Sequence, residues 1–399
     1  MKFPCFYIDN NLLGIIVSSF IMSFCFIVSC LKSREQQRLS CNSIPELFFS
    51  KDPSEFHLKI AEEINRSSKE IYIAAYNISF SIINQFYLSA LKAAKNKGVS
   101  ISILIPEDYC NSSISFFTNH SLTNVYCANN SMGVAIIDNN AYLFNDIFSD
   151  TNNHYSLLTS FNNCEIAVQD IKSFFLYQIL RIANKLSKIV SITHHAKSSL
   201  IWPFYLPSKS GEDKSSTFYF FHNPAKYGDP LRISTYDLIQ STVYFNSNTA
   251  PKKNISLFAS KIPPYTDLKY SFYQVFTRVV MNNQEHHNDI FFRYLVPQSQ
   301  NTSENWWMKT TAALKNTEIR LYDDSLIGSN YMIIDNRAFV FSHPIDDRIV
   351  DENLGFHYST NSSDIVKVLQ NHFDDIFMND SQPFIIVRHF FIIFLSKHP

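Results

Sequence analysis

"AIIDNNAYLF" occupies residues 135–144, and "MIIDNRAFVF" occupies residues 332–341. Six of the ten aligned positions are identical, and the two aspartates, Asp138 and Asp335, lie 197 residues apart in a chain of 399. Each phrase predicts two short apolar strands joined by a turn, which we place at Asn139–Asn140 in the first copy. A unit repeated at about half the chain length indicates a duplicated domain rather than a solenoid.

The segments around the two phrases follow a similar order. In the first half, helical spacing in "EFHLKIAEEINRSS", with Ser54 as N-cap, is followed by the strand "KEIYIAAYNI" and by a second helix that stops at Gly98. The strand "VSISILI" then precedes the strand pair and the long helix "NCEIAVQDIKSFFLYQILRIANKL". The second half repeats this order through "NDIFFRYLV", "ENWWMKTTAALKN", "TEIRLYD" and "SSDIVKVLQNHFDDIF". We therefore predict an α/β fold in two similar halves.

Composition excludes several functional classes. The net charge of −1 gives no basic excess of the kind that a general nucleic-acid binder carries. Only 7 glycines are present, and no glycine-rich phosphate-binding loop occurs. The 36 phenylalanines and 21 tyrosines predict an aromatic core rather than a platform for stacking bases.

Residues 12–31 form an uncharged stretch of 20 residues, long enough to span a bilayer as a helix. A signal-anchor would give a type II membrane protein, whereas a cleaved signal peptide would give a secreted one. We favour the anchor because the apolar run is long and no A-x-A-like cleavage site stands near Cys30. The charges of Lys32, Arg34 and Arg38 point the other way, since positive residues usually flank a span on the cytosolic side.

Two features favour a lumenal or extracellular side. Four cysteines lie beyond the span, in the first half, and allow three pairings; we predict Cys41–Cys164 and Cys110–Cys127 in an oxidising lumen, the alternative being four free thiols. No C-x-x-C occurs, so a structural zinc site is not expected. N-x-[ST] sequons begin at Asn65, Asn77, Asn111, Asn119, Asn129, Asn254, Asn301, Asn361 and Asn379.

The layout resembles the phospholipase D superfamily, in which two similar α/β halves each contribute one H-x-K-x-x-x-x-D motif. The resemblance rests on "SIPELFFS", "ALKAAKNKGVSISILI" and "CEIAVQDIKSFF" in the first half, and on "WPFYLP", "ISLFASKIPPY" and "IIDNRAFVF" in the second. It looks closest to the animal branch that has one N-terminal transmembrane helix and an endolysosomal lumenal domain. It implies two α/β sandwich halves packed around a central cleft, and it implies no metal or cofactor.

The motif positions are altered in both halves. In the family one histidine attacks phosphorus, the other protonates the leaving oxygen, and two lysines neutralise the phosphoryl oxygens. Counting back from the retained aspartates puts small or uncharged residues at all four of these positions. The positions are Ser131, Gly133 and Asp138 in the first half, and Gly328, Asn330 and Asp335 in the second.

Other histidines are weak substitutes. His195 and Lys197, after His194, have H-x-K spacing but lie where the family has a connector. His286 and His287, with Glu285 and Asp289, could suggest a metal site, although a solvated loop is the better interpretation. His343 lies nearest the expected cleft, but one histidine cannot carry out the two-step mechanism.

These observations define our predictions. The domains are an arm (1–11), a transmembrane signal-anchor (12–31), a linker (32–42), a first repeat (43–199), an inter-repeat connection with some strand character (200–265), a second repeat (266–383) and an apolar tail (384–399). The leading hypothesis is an inactive phospholipase D-like membrane protein with a binding or structural role, in which the membrane and a phosphodiester are the expected partners. The alternatives are an active lumenal phosphodiesterase, acting on single-stranded nucleic acid or phospholipid through other residues, and a membrane-tethered interaction protein.

Overall fold

A computed structural model provides the structure of the protein. It describes residues 41, 43–50, 52–75, 77–122, 124–128, 133–144, 148, 156–186, 204–205, 217–223, 253–259, 290–300, 306–324, 330–341 and 355–384. In these ranges no helix combines the length and the apolar character needed to cross a bilayer. The predicted arm, signal-anchor and linker lie outside the described residues, as does most of the predicted tail.

The first half builds one mixed sheet. Its strands are β1 (Glu46–Ser50), β2 (Glu70–Ala74), β3 (Ser100–Pro106), β4 (Val125–Ala128), β5 (Val134–Ile137), β6 (Asn140–Phe144) and β7 (Ser156–Phe161). Their order across the sheet is β1-β7-β6-β5-β2-β3-β4. Only the β2–β3 and β3–β4 pairs are parallel, as expected where helices connect successive strands.

Helices cover both faces of this sheet. They are α1 (Pro53–Arg66), α2 (Leu88–Asn96), α3 (Cys110–Asn119) and α4 (Glu165–Leu186); a helical turn Phe80–Ile82 and a π-helical turn Ile83–Tyr87 lead into α2. Side chains alternate along each strand, so Ile71 and Ile73 of β2 pack towards α1 while Ala74 belongs to the core on the α4 side. This three-layer arrangement is the predicted α/β class.

The second half repeats the sheet with two additional edge strands. Its strands are β8 (Phe204–Tyr205), β9 (Thr217–Asn223), β10 (Lys253–Phe258), β11 (Ile290–Pro297), β12 (Thr317–Tyr322), β13 (Tyr331–Ile334), β14 (Arg337–Phe341), β15 (Gly355–Thr360) and β16 (Ser381–Pro383). The order β16-β12-β11-β10-β13-β14-β15-β9-β8 contains the seven-strand pattern of the first half, flanked by β16 and β8. The helices within the described residues of this half are α5 (Trp306–Ala312) and α6 (Ser363–Asn379).

The second sheet begins before the predicted boundary at residue 266. Three strands, β8, β9 and β10, come from residues 200–265, and β9 and β10 occupy the positions that β1 and β2 hold in the first sheet. The segment was expected to be mainly a connection because Ser, Lys and Pro interrupt its apolar pattern. These short runs become strands because β9 pairs with β15, and β10 pairs with β11 and β13.

Two local predictions are corrected. Asp52, rather than Ser54, caps α1, because its carboxylate accepts the backbone N–H of Ser54 at 2.8 Å and Pro53 can occupy the first helical position. The hairpin turn lies at Asp138–Asn139, one residue earlier than predicted, and Asn140 already belongs to β6. Gly98 does follow α2 with a φ of +85°, as its place after a helix with late lysines predicted.

One apolar core joins the two halves. Val168 and Ile171 of α4 belong to the same buried cluster as Leu369 and Phe373 of α6. Thr159 Oγ1 and Tyr358 Oη, on the equivalent strands β7 and β15, lie 2.8 Å apart. Full burial of one large apolar side chain is worth about 1.5–3 kcal/mol, so a cluster of this size holds the halves together.

Both predicted disulfides are present. Cys41 and Cys164 are bonded with their Cα atoms 4.7 Å apart, and Cys110 and Cys127 with theirs 5.7 Å apart. The first bond links residues 123 positions apart in the sequence and joins the segment before β1 to the residue immediately before α4. The second joins α3 to β4.

Candidate functional site

Gly133 and Asn330, where the resemblance would place the two motif lysines, occupy equivalent places at the ends of the hairpins. Gly133 precedes β5, and its carbonyl accepts the backbone N–H of Phe144 at 2.9 Å. Asn330 precedes β13, and its carbonyl accepts the backbone N–H of Phe341, also at 2.9 Å. Gly133 and Asn330 are 197 residues apart, as are Phe144 and Phe341, and this is the same separation as that of the two aspartates. The structure thus confirms that the repeated phrase builds the same hairpin twice.

Gly133 leaves no room for a side chain. A Cβ atom built on it would lie 1.9 Å from the carbonyl oxygen and 2.9 Å from the carbonyl carbon of Phe144. Both atoms belong to the backbone of the paired strand, so rotation of a side chain cannot relieve the overlap. Position 133 is therefore closed to every residue larger than glycine unless the hairpin moves.

Asn330, at the equivalent position of the second half, is buried, with 1% of its surface exposed. Its amide carries hydrogen-bonding groups but no charge to neutralise a phosphoryl oxygen. The next residue, Tyr331, packs against Phe258, with ring centroids 5.4 Å apart, and its hydroxyl lies 2.8 Å from His372 Nδ1. Burial, and then the nearby charge of Asp374, raise the pKa of Tyr331 well above its usual value, so this hydroxyl stays protonated.

His372 joins the two halves next to this position, and sequence analysis did not single it out. It lies on α6, and its ring stacks on Phe49 of β1 with centroids 4.1 Å apart. It is three residues after Leu369 and next to Phe373, two core residues of α6. This helical spacing could have predicted that His372 lies near the core. The contacts with Phe49 and Tyr331 give it a role in packing.

The retained aspartate of the first half has a structural partner set. Asp138 Oδ1 accepts the backbone N–H groups of Lys69 (2.9 Å) and Glu70 (3.0 Å), and Oδ2 accepts that of Ser68 (2.8 Å) and the Ser68 hydroxyl (3.1 Å). The carboxylate therefore fastens the β5–β6 turn to the beginning of β2. Asp138 is five residues beyond Gly133, or about 16 Å along an extended strand, so it lies at the opposite end of β5.

The pKa of Asp138 reflects this arrangement. Partial burial of the carboxyl group raises the pKa, but the backbone N–H groups of Glu70, Ser68 and Lys69 and the Ser68 hydroxyl together outweigh it. The net effect is a pKa below the usual value for aspartate. The turn is thus held by an ionised side chain.

Asp335 repeats the arrangement in the second half. Its Oδ1 accepts the backbone N–H of Asn254 at 2.9 Å, and its own N–H donates to the Asn254 carbonyl at 2.9 Å. Both aspartates have positive φ, +52° for Asp138 and +50° for Asp335, a conformation that aspartate and asparagine tolerate better than most residues. Both aspartates thus act as turn residues that fasten each hairpin to the neighbouring strand.

The remaining candidates fall elsewhere. Ser131, Gly328 and His343 lie outside the described residues, so the expected approach of Ser131 to Gly328 across a pseudo-two-fold axis stays a prediction. The pairs at 194–195 and 286–287 lie outside them as well, together with Lys197, Glu285 and Asp289. Two described histidines, His57 and His357, are buried; His57 Nδ1 lies 2.7 Å from Tyr87 Oη in the core of the first half, and the His357 ring packs against Phe341.

No protein-family model matches the chain, and no curated protein matches it. Solved structures similar to it include phosphatidylserine synthase from Haemophilus influenzae Rd KW20, with a TM-score of 0.61 and 10% identity over 88% of this chain and 91% of that chain. Polyphosphate kinase from Porphyromonas gingivalis has a TM-score of 0.51 and 12% identity over 83% of this chain and 50% of that chain. Nuc from Salmonella typhimurium, a phospholipase D family member, has a TM-score of 0.32 and 12% identity over 43% of this chain and 99% of that chain.

The likeness to phosphatidylserine synthase extends over both halves and fits the predicted two-half phospholipase D-like α/β fold. At 10% identity it concerns the fold alone. At the two equivalent hairpin positions, Gly133 has no space for a side chain and Asn330 is a buried amide.

Proposed function

We propose that the protein is a catalytically inactive phospholipase D-like protein with a binding or structural role. The observation that supports this most strongly is the overlap at Gly133, where the lysine of the first motif has no space. Asn330, buried and uncharged, supports it in the second motif.

Catalysis by this fold depends on charge. A developing phosphoryl charge needs cationic or N–H donors aimed at it, and removal of one such donor typically costs about 10²–10³ in rate. Here both lysines are replaced, and Ser131 and Gly328 stand where the two histidines would act as nucleophile and acid. The combined loss removes both the nucleophile and the charge stabilisation of the two-step reaction.

We further propose that the chain is a type II membrane protein anchored by residues 12–31, with the folded part in the endoplasmic reticulum or endolysosomal lumen or at the cell surface. The two disulfides support an oxidising compartment. The asparagines of the sequons at Asn65, Asn111, Asn119 and Asn379 are exposed, which suits a glycoprotein.

The ligand class follows from the scaffold. Phosphatidylserine synthase, by its name, makes a phospholipid, and we propose that the cleft of this chain binds a phosphodiester of nucleic acid or phospholipid without cleaving it. The net charge of −1 favours a specific site over general electrostatic attraction.

A hydrolysis assay on the purified full chain tests the proposal. We expect no release of product from a single-stranded oligonucleotide, from phospholipid vesicles or from an activated aryl phosphodiester, at rates above those of a blank. His343→Ala is the informative variant, because His343 lies nearest the expected cleft. Hydrolysis that this variant abolishes would show an active enzyme with other residues and would overturn the proposal.

A further inference from the structure

A hollow opens in the second half at the beginnings of strands β10, β11 and β12, at the opposite end of the sheet from Asn330. Its volume is about 550 Å³, within the range of small-ligand sites. It is lined by Asn254, Phe291, Phe292, Arg293, Asn316, Thr317 and Glu318.

Asn254 and Phe291 are directly opposite each other on the parallel strands β10 and β11. Register partners in a parallel pair project to the same face of the sheet, so the amide and the ring are neighbours. Phe291 is 45% exposed and lines the hollow, so part of its ring surface is accessible to a ligand there.

Asn254 is also the acceptor residue of an N-I-S sequon. Its backbone N–H and carbonyl are engaged by Asp335, as described above, whereas its side chain is exposed. A group attached to the side-chain amide would therefore leave the turn contact intact. In the first half the equivalent residue is Glu70, which is ion-paired with Lys172 and belongs to no sequon.

We propose that Asn254 carries an N-linked glycan and that the first sugar of this glycan is seated in the hollow against Phe291. An aromatic face is electron-rich and attracts the polarised C–H bonds on the apolar face of a pyranose ring. The polar groups of Asn316 and Glu318 on the rim suit the hydroxyls at the ring edge. The proposed ligand of this site is thus a sugar attached covalently to the same chain.

The modification step is a glycosyl transfer from a polyisoprenyl diphosphate-linked oligosaccharide. The side-chain nitrogen of Asn254 forms a bond to the anomeric carbon of the first N-acetylglucosamine. The bond from that carbon to the diphosphate oxygen breaks, the lipid diphosphate leaves with the electron pair, and the amide nitrogen loses one proton. This inference rests on the proposed lumenal side of the membrane.

Occupancy is tested by expressing the full chain in secretory cells and by mass spectrometry of its glycopeptides. We expect glycan on Asn254. Glycan on Asn65 and Asn111 but not on Asn254 would overturn this inference while leaving the lumenal side in place. A chain without glycan at any sequon would overturn both the inference and the proposed location.

Seating on Phe291 is tested by a double-mutant cycle on thermal stability. We expect Phe291→Ala to lower Tm by about 2–4 °C in the glycosylated protein, and by less than half of that in the Asn254→Gln background. Phe291→Leu should behave like Phe291→Ala, because leucine lacks the aromatic ring, although it keeps much of the apolar area. Val368→Ala, at another exposed apolar residue, should have the same effect in both backgrounds. Equal effects of Phe291→Ala in both backgrounds would overturn the seating.

Discussion

Gly133→Ala should destabilise the protein by about 4 kcal/mol or more, because a steric conflict with buried backbone is among the few mechanisms that produce effects of this size. The added Cβ would lie 1.9 Å from the carbonyl oxygen of Phe144. The β5–β6 pair, in the middle of the first sheet, must separate to accommodate it. We expect low yield of folded protein and a Tm reduced by about 10 °C, measured by differential scanning fluorimetry.

The matched control is Asn330→Ala at the equivalent position of the second half. Asn330 already has a Cβ, so this variant creates no backbone overlap and should cost about 1–3 kcal/mol from lost hydrogen bonds of a buried amide. If Gly133→Ala were as stable as the parent protein, the hairpin would have room for a Cβ atom at this position, and the steric argument for inactivity would fail.

Asp138→Ala is expected to cost about 2–3 kcal/mol, because it leaves three backbone N–H groups without their charged acceptor. It also places alanine at a φ of +52°, where alanine is disfavoured. Asp138→Asn should cost less, since asparagine tolerates this φ and keeps one acceptor oxygen. Ser68→Ala, which removes only the 3.1 Å hydroxyl contact, should change stability by less than either.

This prediction has a pH dependence of defined sign. The pKa of Asp138 is lower in the folded than in the unfolded chain, whose aspartates titrate near about 3.9. The stabilisation is therefore complete above the unfolded pKa and is lost as the pH falls through the folded pKa. The difference in unfolding free energy between the parent protein and Asp138→Asn should be constant from pH 7 to about 5 and should shrink below pH 4. A difference that grew on acidification would contradict the assigned contacts.

The duplicated hairpin was predictable because its signal is local. "IIDN" followed by a short apolar run specifies two strands and a turn. The same turn residues recur in both copies because the aspartate adopts a positive φ. The strands β9 and β10 were harder to predict, since short runs between polar stretches become strands only through pairing with β15, β11 and β13.

The site divides in the same way. The loss of the motif lysines was visible by counting back from Asp138 and Asp335. The amino-acid sequence does not reveal that the carbonyl of Phe144 lies against Gly133, because that contact depends on the register between β5 and β6. The stacking of His372 on Phe49 was equally hidden, since it joins residues of different halves.

The most direct test of inactivity is a search for the covalent phosphoenzyme that the two-step mechanism requires. The purified full chain is mixed with a radiolabelled oligonucleotide or phospholipid, quenched in denaturing alkali, in which phosphohistidine survives, and separated on a denaturing gel. A phospholipase D family enzyme with both motifs intact serves as the positive control. We predict no label on this protein under conditions in which the control is labelled. An adduct that is stable in alkali and lost in acid would contradict the account.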